Sequence, residues 1–190
     1  MDAAFAPEDE QFRQEVRTFL REATPEALRY KVENGIEMQR EDVVGWHKIL
    51  HKQGWVAPNW PEEHGGPGWS LTQKYIFDEE LGLAGAPRLV TFGLNMCGPV
   101  LMAFGTEAQK ARFLEAMLTG EARIGFGLTE PDHGSDATWL STTARREGSE
   151  WVIDGTKRFN SGLHHATHDF VFARTSGEPG DAREIGRAHV

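Results

Sequence analysis

The densest run of chemically useful residues is IGFGLTEPDHGSD, residues 124–136. A short apolar stretch gives way there to Thr129, Pro131, Gly134 and Ser135, the composition of a strand leaving a sheet into a loop. Thr129 and Ser135 offer hydroxyls, and Gly134, lacking a Cβ, lets backbone N–H groups approach a ligand closely. A phosphate, or a ring with polar edges, could sit at such an exit. An ordinary turn has the same residue types, and local chemistry alone favours that plainer reading. In KRFNSG, residues 157–162, Phe159 taken alone is a core aromatic of an alternating strand, and Ser161-Gly162 is a turn.

Other polar groups carry less. His164 and His168 have a helical ligand spacing and His165 lies beside them, yet a zinc site wants three or four ligands, and no carboxylate or cysteine partner is obvious nearby. No metal is expected, and a polar turn before a strand explains them. Glu62, Glu63 and His64 adjoin Gly-Gly-Pro-Gly and read as a solvated loop. The one cysteine, Cys97, has no internal disulfide partner and sits in the apolar run LNMCGPVLM, so it is expected to be a small core residue.

The elements that must position these residues change character along the chain. Of 190 residues, 39% are hydrophobic and 26% charged, with six Trp and eleven Phe, which is a globular composition. A net charge of −9 argues against nucleic acid as a partner. The start, MDAAFAPEDEQF, resembles neither a secretory signal nor a mitochondrial presequence, and no apolar run approaches the roughly 20 residues of a membrane span. A cytoplasmic location is the expectation.

Residues 8–23 put Phe12, Val16, Phe19, Leu20 and Ala23 on one helical face. Residues 40–53 put Val43, Trp46, Ile49 and Leu50 on another, with acids first, bases last, and Gly54 as the stop. Ser70–Gln73 and Thr106–Gln109 read as capping boxes opening helices to about residues 84 and 120. Residues 88–104 read as a central apolar helix. From about residue 122 the chain turns to short β-rich runs: IGFGL, ATWLSTTARRE, EWVIDGTKRF and DFVFART. The predicted fold class is α+β: a helical bundle over residues 1–121, then an incomplete antiparallel β-domain over 122–184. Residues 185–190 continue no strand pattern and are read as a non-native tail, the translated read-through of a sequencing adapter.

Three blocks in order carry a resemblance. Residues 124–136 resemble the flavin-binding signature of the acyl-CoA dehydrogenase family, a strand leading into Thr-Glu-Pro-x-x-Gly-Ser-Asp. GWVAPNWPEEHGGPGWS, residues 54–70, resembles that family's Gly-rich loop between helices. EGSEWVIDGTKRFNSG, residues 147–162, resembles its Gly-x-x-Trp/Tyr-Val-Ile-x-Gly-x-Lys-x-aromatic strand pair. The resemblance implies FAD as cofactor. Phe126, Leu128 and Thr129 would line the pyrimidine side of the flavin, and Gly134 and Ser135 would meet the pyrophosphate, Ser135 also lying near the acyl-CoA. Phe159 would pack on the isoalloxazine, with Asn160 beside it, and the Ser161 hydroxyl would reach flavin N5. This sequence departs from the pattern in a shortened Lys157–Gly162 segment, in Arg158 where an aromatic is common, and in Asp132-His133.

The implied reaction is α,β-dehydrogenation of an acyl-CoA thioester, with hydride passing to flavin N5 and electrons leaving to an acceptor such as an electron-transfer flavoprotein. The carboxylate base belongs to the family's C-terminal helical domain, which this chain does not reach, so no catalytic residue is assigned. The chain alone is expected to be inactive and to bind FAD weakly or not at all. The full-length parent is expected to be a homo-oligomer. An acyl-CoA oxidase or flavin-dependent monooxygenase on the same scaffold, or a non-catalytic binding module, are the alternatives. The flavin reading requires residues 126–135 and 159–161 to meet in one wall.

Overall fold

A computed structural model describes residues 5–89 and 92–181, and the backbone of Ile185–His189. The chain divides into two compact units: Met1–Val90 with Gly98–Glu121, and Thr91–Cys97 with Ala122–Val190.

The first unit is helical. Helix α1 (Pro7–Ala23) starts at a proline with Glu8, Asp9 and Glu10 in its first turn, where the helix dipole favours acids. It buries Phe12, Val16 and Leu20. Helix α2 (Glu26–Glu33) buries only Leu28. Helix α3 (Arg40–Gln53) ends at Gly54 in the left-handed conformation, φ 80°. Its Trp46 is fully buried and donates its indole N–H to the Pro87 carbonyl at 2.8 Å. Helices α4 (Leu71–Leu83), α5 (Gly98–Phe104) and α6 (Glu107–Thr119) complete the unit. Both expected capping boxes form: the Ser70 and Thr106 hydroxyls accept from the Gln73 and Gln109 N–H groups at 3.2 and 3.3 Å.

Helix α4 packs on α1 through buried charge. Arg13, 5% exposed, donates to Glu79 and to Glu80, the latter at 2.6 Å, and Arg17 donates to the other Glu80 oxygen at 2.7 Å. The Gly-rich segment 54–70 is fixed by close approach rather than by regular structure. A Cβ on Gly66 would fall 1.9 Å from the Trp60 carbonyl oxygen, so no other residue fits. Glu62–His64 form a short 3-10 turn in this segment.

The apolar run 88–104 is not one regular helix. Gly93–Cys97 is a π-helical turn, and α5 follows it. Residues 91–97 cluster with the second unit, whereas the sequence reading placed everything up to residue 121 with the helices. Cys97 is buried, and burial pushes its thiol up to about 11. That is no nucleophile at neutral pH.

The second unit is a sheet of strands β1 (Ile124–Gly127), β2 (Thr143–Glu147), β3 (Glu150–Asp154), β4 (His168–Arg174) and β5 (Ile185–His189). The α+β class holds, but the sheet is mixed where antiparallel pairing was expected. Strand β1 runs parallel to β4, with Ile124 opposite His168 and Gly127 opposite Val171. The long connection through the β2–β3 hairpin permits this, since parallel neighbours need a crossover of a dozen residues or more. Strands β2 and β3 form the antiparallel hairpin, and β2 meets β4 parallel at Thr143 and Arg174.

The tail is a second correction. Ile185–His189, expected to continue no strand, pairs antiparallel with β4 from Arg174–Ile185 to Phe170–His189. Ladder bonds are made by backbone groups, so an available β4 edge can pair with a segment that lacks strand-like patterning.

Candidate functional site

The site lies where β1 leaves the sheet. The register that puts Phe126 opposite Phe170 gathers an aromatic layer on one side of β1 and β4. The Phe126 ring stacks on Phe92 at 5.4 Å and meets the Phe172 ring at 5.2 Å. The other side is paved with glycine. A Cβ on Gly125 would meet an Asp169 carboxylate oxygen at 2.9 Å, and one on Gly127 would meet Asp169 and Asn160 at 3.1 and 3.2 Å. Two glycines therefore admit the 157–162 segment directly over β1.

That segment is tied to the β1 exit at three points. The Arg158 N–H donates to the Thr129 carbonyl at 2.9 Å. The Lys157 ammonium donates to the Leu128 carbonyl at 3.0 Å and to a Glu130 carboxylate oxygen at 2.8 Å. Asn160 ties the segment to β4, its amide N–H donating to Asp169 at 3.1 Å.

Glu130 is the centre of this arrangement. Its side chain is 2% exposed and that of Lys157 8%. One carboxylate oxygen accepts from the Ser141 N–H at 2.6 Å and the Ser141 hydroxyl at 2.7 Å, and the other from the Thr142 N–H at 2.8 Å and from Lys157. Burial pushes this carboxyl up, but hydrogen bonds from Lys157, Thr142 and Ser141 outweigh it and hold the group well below the usual carboxylate range. Glu130 is an ionised anchor and not an acid or base. Sequence reasoning gave neither Glu130 nor Lys157 a role. The available signal was a glutamate between an apolar strand and a Pro-Gly loop, with a lysine on a later strand-like segment.

The remaining residues surround this anchor. The Glu130 N–H donates to the His133 carbonyl at 2.9 Å, and the loop curls until a Cβ on Gly134 would lie 4.0 Å from the Thr129 methyl. Neither the Thr129 N–H nor its hydroxyl makes a hydrogen bond among the described residues. Phe159 is 74% exposed and has φ 59°, the only positive φ of a non-glycine among the described residues. The Arg158 guanidinium lies over its ring at 4.4 Å. An aromatic held in a disfavoured conformation and left open to solvent is poorly explained as core.

Leu128, Thr129, Gly134 and residues 157–160 are thus brought together. Ser135 and Ser161 are exposed on the flanking loops, and neither side chain hydrogen-bonds within the described residues. Asn160 is engaged with Asp169, while the carbonyl oxygen of its amide is buried without a partner. His164 and His165 lie in a 3-10 turn and His168 opens β4. No group of three or more His, Cys, Asp or Glu among the described residues is arranged to hold a metal.

Comparison with known proteins gives this wall its context. Residues 6–121 match the N-terminal domain of acyl-CoA dehydrogenase, and residues 125–187 match its middle domain. The chain belongs to the acyl-CoA dehydrogenase family. Acyl-CoA dehydrogenase FadE26 of Mycobacterium tuberculosis is 32% identical over 190 residues, covering 97% of this chain and 46% of that protein. The 3-(aryl)acrylate reductase of Clostridium sporogenes is 31% identical, covering 93% of this chain and 46% of that protein. Among solved structures, the Tcur3481-Tcur3483 steroid ACAD superposes with a TM-score of 0.86 at 34% identity, covering 100% of this chain and 49% of that one. The ChsE4-ChsE5 complex from Mycobacterium tuberculosis gives 0.84 at 32% identity, covering 100% and 48%. This acyl-CoA dehydrogenase-family chain therefore spans about half the length of the relatives it matches. No described helix is long and apolar enough to cross a membrane.

Proposed function

We propose that the chain forms one wall of an FAD site in an acyl-CoA dehydrogenase that desaturates an acyl-CoA thioester between its α- and β-carbons. The observation that carries this reading is the tethering of residues 128–130 to 157–160, which leaves the Thr129 N–H and hydroxyl without a partner among the described residues, Gly134 uncrowded, and the Phe159 ring, under the Arg158 guanidinium, 74% exposed. Those groups suit a flavin: donors for the acceptor-rich pyrimidine edge, a glycine where a phosphate approaches, and an aromatic face for the tricycle.

Bound FAD would supply the hydride acceptor, N5. The protein would contribute orientation. Phe126, Leu128 and Thr129 hold the pyrimidine edge through backbone groups and the Thr129 hydroxyl. Gly134 and Ser135 meet the pyrophosphate, and Ser135 also faces the acyl-CoA. Phe159 covers the ring with Asn160 beside it, and the Ser161 hydroxyl donates at N5. We place the base in the part of the relatives that this chain does not match, so no carboxylate here is assigned the α-proton. An electron-transfer flavoprotein is the proposed acceptor. Likeness to a protein described as a steroid ACAD makes a bulky acyl group the substrate class to test first.

Titration of the isotopically labelled chain with riboflavin, followed by amide NMR, tests the proposal. Weak binding should perturb Leu128, Thr129, Gly134, Phe159 and Ser161 and leave α1–α4 unmoved. No perturbation at millimolar riboflavin, or one confined to the helical unit, would refute it. Stoichiometric FAD surviving gel filtration would refute the claim that the chain supplies only one wall.

A further inference from the structure

We infer that Lys157 is a positioning residue for the flavin edge, acting through the Leu128–Thr129 peptide unit to make the Thr129 N–H a stronger hydrogen-bond donor. The inference rests on the flavin reading above and deepens it.

The Lys157 ammonium does two things at once. It neutralises Glu130 at 2.8 Å, and it donates to the Leu128 carbonyl oxygen at 3.0 Å. Neutralising the carboxylate does not by itself require the second contact. The carbonyl of Leu128 and the N–H of Thr129 are opposite ends of one amide. A charged donor on the oxygen draws electron density through the conjugated group and strengthens the N–H as a donor, an effect that is larger where the dielectric is low. The dielectric is low here, since the side chains of Lys157 and Glu130 are 8% and 2% exposed.

The next link is Thr129 itself. Its carbonyl is already taken by the Arg158 N–H at 2.9 Å, while its own N–H and hydroxyl have no partner among the described residues. The strengthened donor is therefore the end left for a ligand. What it would recognise is an electron-rich acceptor on a ring edge, the kind of atom on which charge accumulates when a flavin is reduced. The lysine is held in place in turn: Ser141 and Thr142 fix Glu130, and Glu130 fixes the ammonium. A neutral side chain at position 157 could hydrogen-bond the same carbonyl without the same polarisation.

The test uses the whole chain, labelled with 15N, and riboflavin as the probe. In Lys157→Gln without riboflavin, the Thr129 amide proton should move upfield while the amides of α1–α4 keep their shifts. Riboflavin affinity should fall about tenfold as the Thr129 N–H becomes a weaker donor. Lys157→Arg, which keeps the charge, should retain both the Thr129 shift and the affinity. The inference is overturned if Lys157→Gln leaves both unchanged. Should Lys157→Gln not fold, Lys157→Arg still decides: a folded arginine variant that loses both shows that charge at this position is not the agent. If the unaltered chain gives no response to millimolar riboflavin, the flavin reading itself fails and takes this inference with it. A response that is insensitive to Lys157 refutes this inference alone.

Discussion

Replacing Glu130 by glutamine is the sharpest perturbation of the site, because it keeps shape and removes charge. Four donors converge on the carboxylate, two on each oxygen: the Ser141 N–H and hydroxyl on one, the Thr142 N–H and the Lys157 ammonium on the other. A glutamine amide must turn its NH2 toward one of these pairs, so donor faces donor in either orientation. Lys157 is also left as a buried cation without its counter-ion. Breaking a buried pair on one side costs about 3–5 kcal/mol, a large share of the 5–15 kcal/mol that holds an ordinary domain together. The two units need not unfold together, so a residue-resolved assay is required. Amide hydrogen exchange supplies it, read at Arg158, which donates to Thr129, and at Arg174, which donates to the Thr142 carbonyl at 2.8 Å. Protection at both should fall by about a hundredfold or more, while amides of α1 and α3 keep theirs.

Acid supplies a second arm of the same experiment. Folding lowers the Glu130 pKa, so its stabilisation is present above the unfolded carboxylate value of about 4.3 and is lost progressively as the pH falls below it. Wild type and Glu130→Gln should therefore converge in stability on acidification below that value. Unchanged protection at neutral pH, or a gap that widens in acid, would show that the buried pair does not hold the wall together.

Other outcomes follow from single contacts. Gly127→Ala should push Asn160 and Asp169 apart from β1, lowering protection at Arg158 and abolishing the riboflavin response, with a cost of about 1–3 kcal/mol by urea titration. Arg13→Gln should weaken the α1–α4 packing by about 3 kcal/mol, since Glu80, 2% exposed, keeps only Arg17 as an ion partner among the described residues; urea unfolding followed by tryptophan fluorescence reads it. Thr106→Ala should cost about 1 kcal/mol and fray the start of α6, seen as faster exchange at Gln109.

Much of this fold is written in local sequence, and the rest is written in distances that local sequence does not carry. The helices opened by Ser70 and Thr106 were legible because a cap and its reciprocal glutamine satisfy orphan donors within four residues. Helix α2 was not, because an eight-residue helix burying Leu28 alone leaves almost no apolar period to read. Four strands could be placed from their composition, but the direction in which β1 meets β4 depends on a partner far along the chain. The sequence offered the Thr129 hydroxyl at a strand exit, and it pointed to Phe159 as a site residue only through the family resemblance. It missed Glu130 and Lys157, because a charged residue reads as solvated until the fold brings its counter-ion to it.

The parallel pairing of β1 with β4 also sets an order of events during synthesis. Emerging from the ribosome, β1 finds neither its neighbour nor the lysine that secures its exit, since the hairpin and both connecting loops must be made before Arg174 appears. The helical unit is fully made at Glu121, whereas Phe126, with only Phe92 of its aromatic neighbours already made, waits for Phe170 and Phe172. High sequence separation slows such closures and leaves apolar edges accessible to neighbours meanwhile. The nascent chain is therefore most vulnerable to aggregation between the translation of Gly127 and that of Arg174, the interval in which a chaperone would be of most use to it.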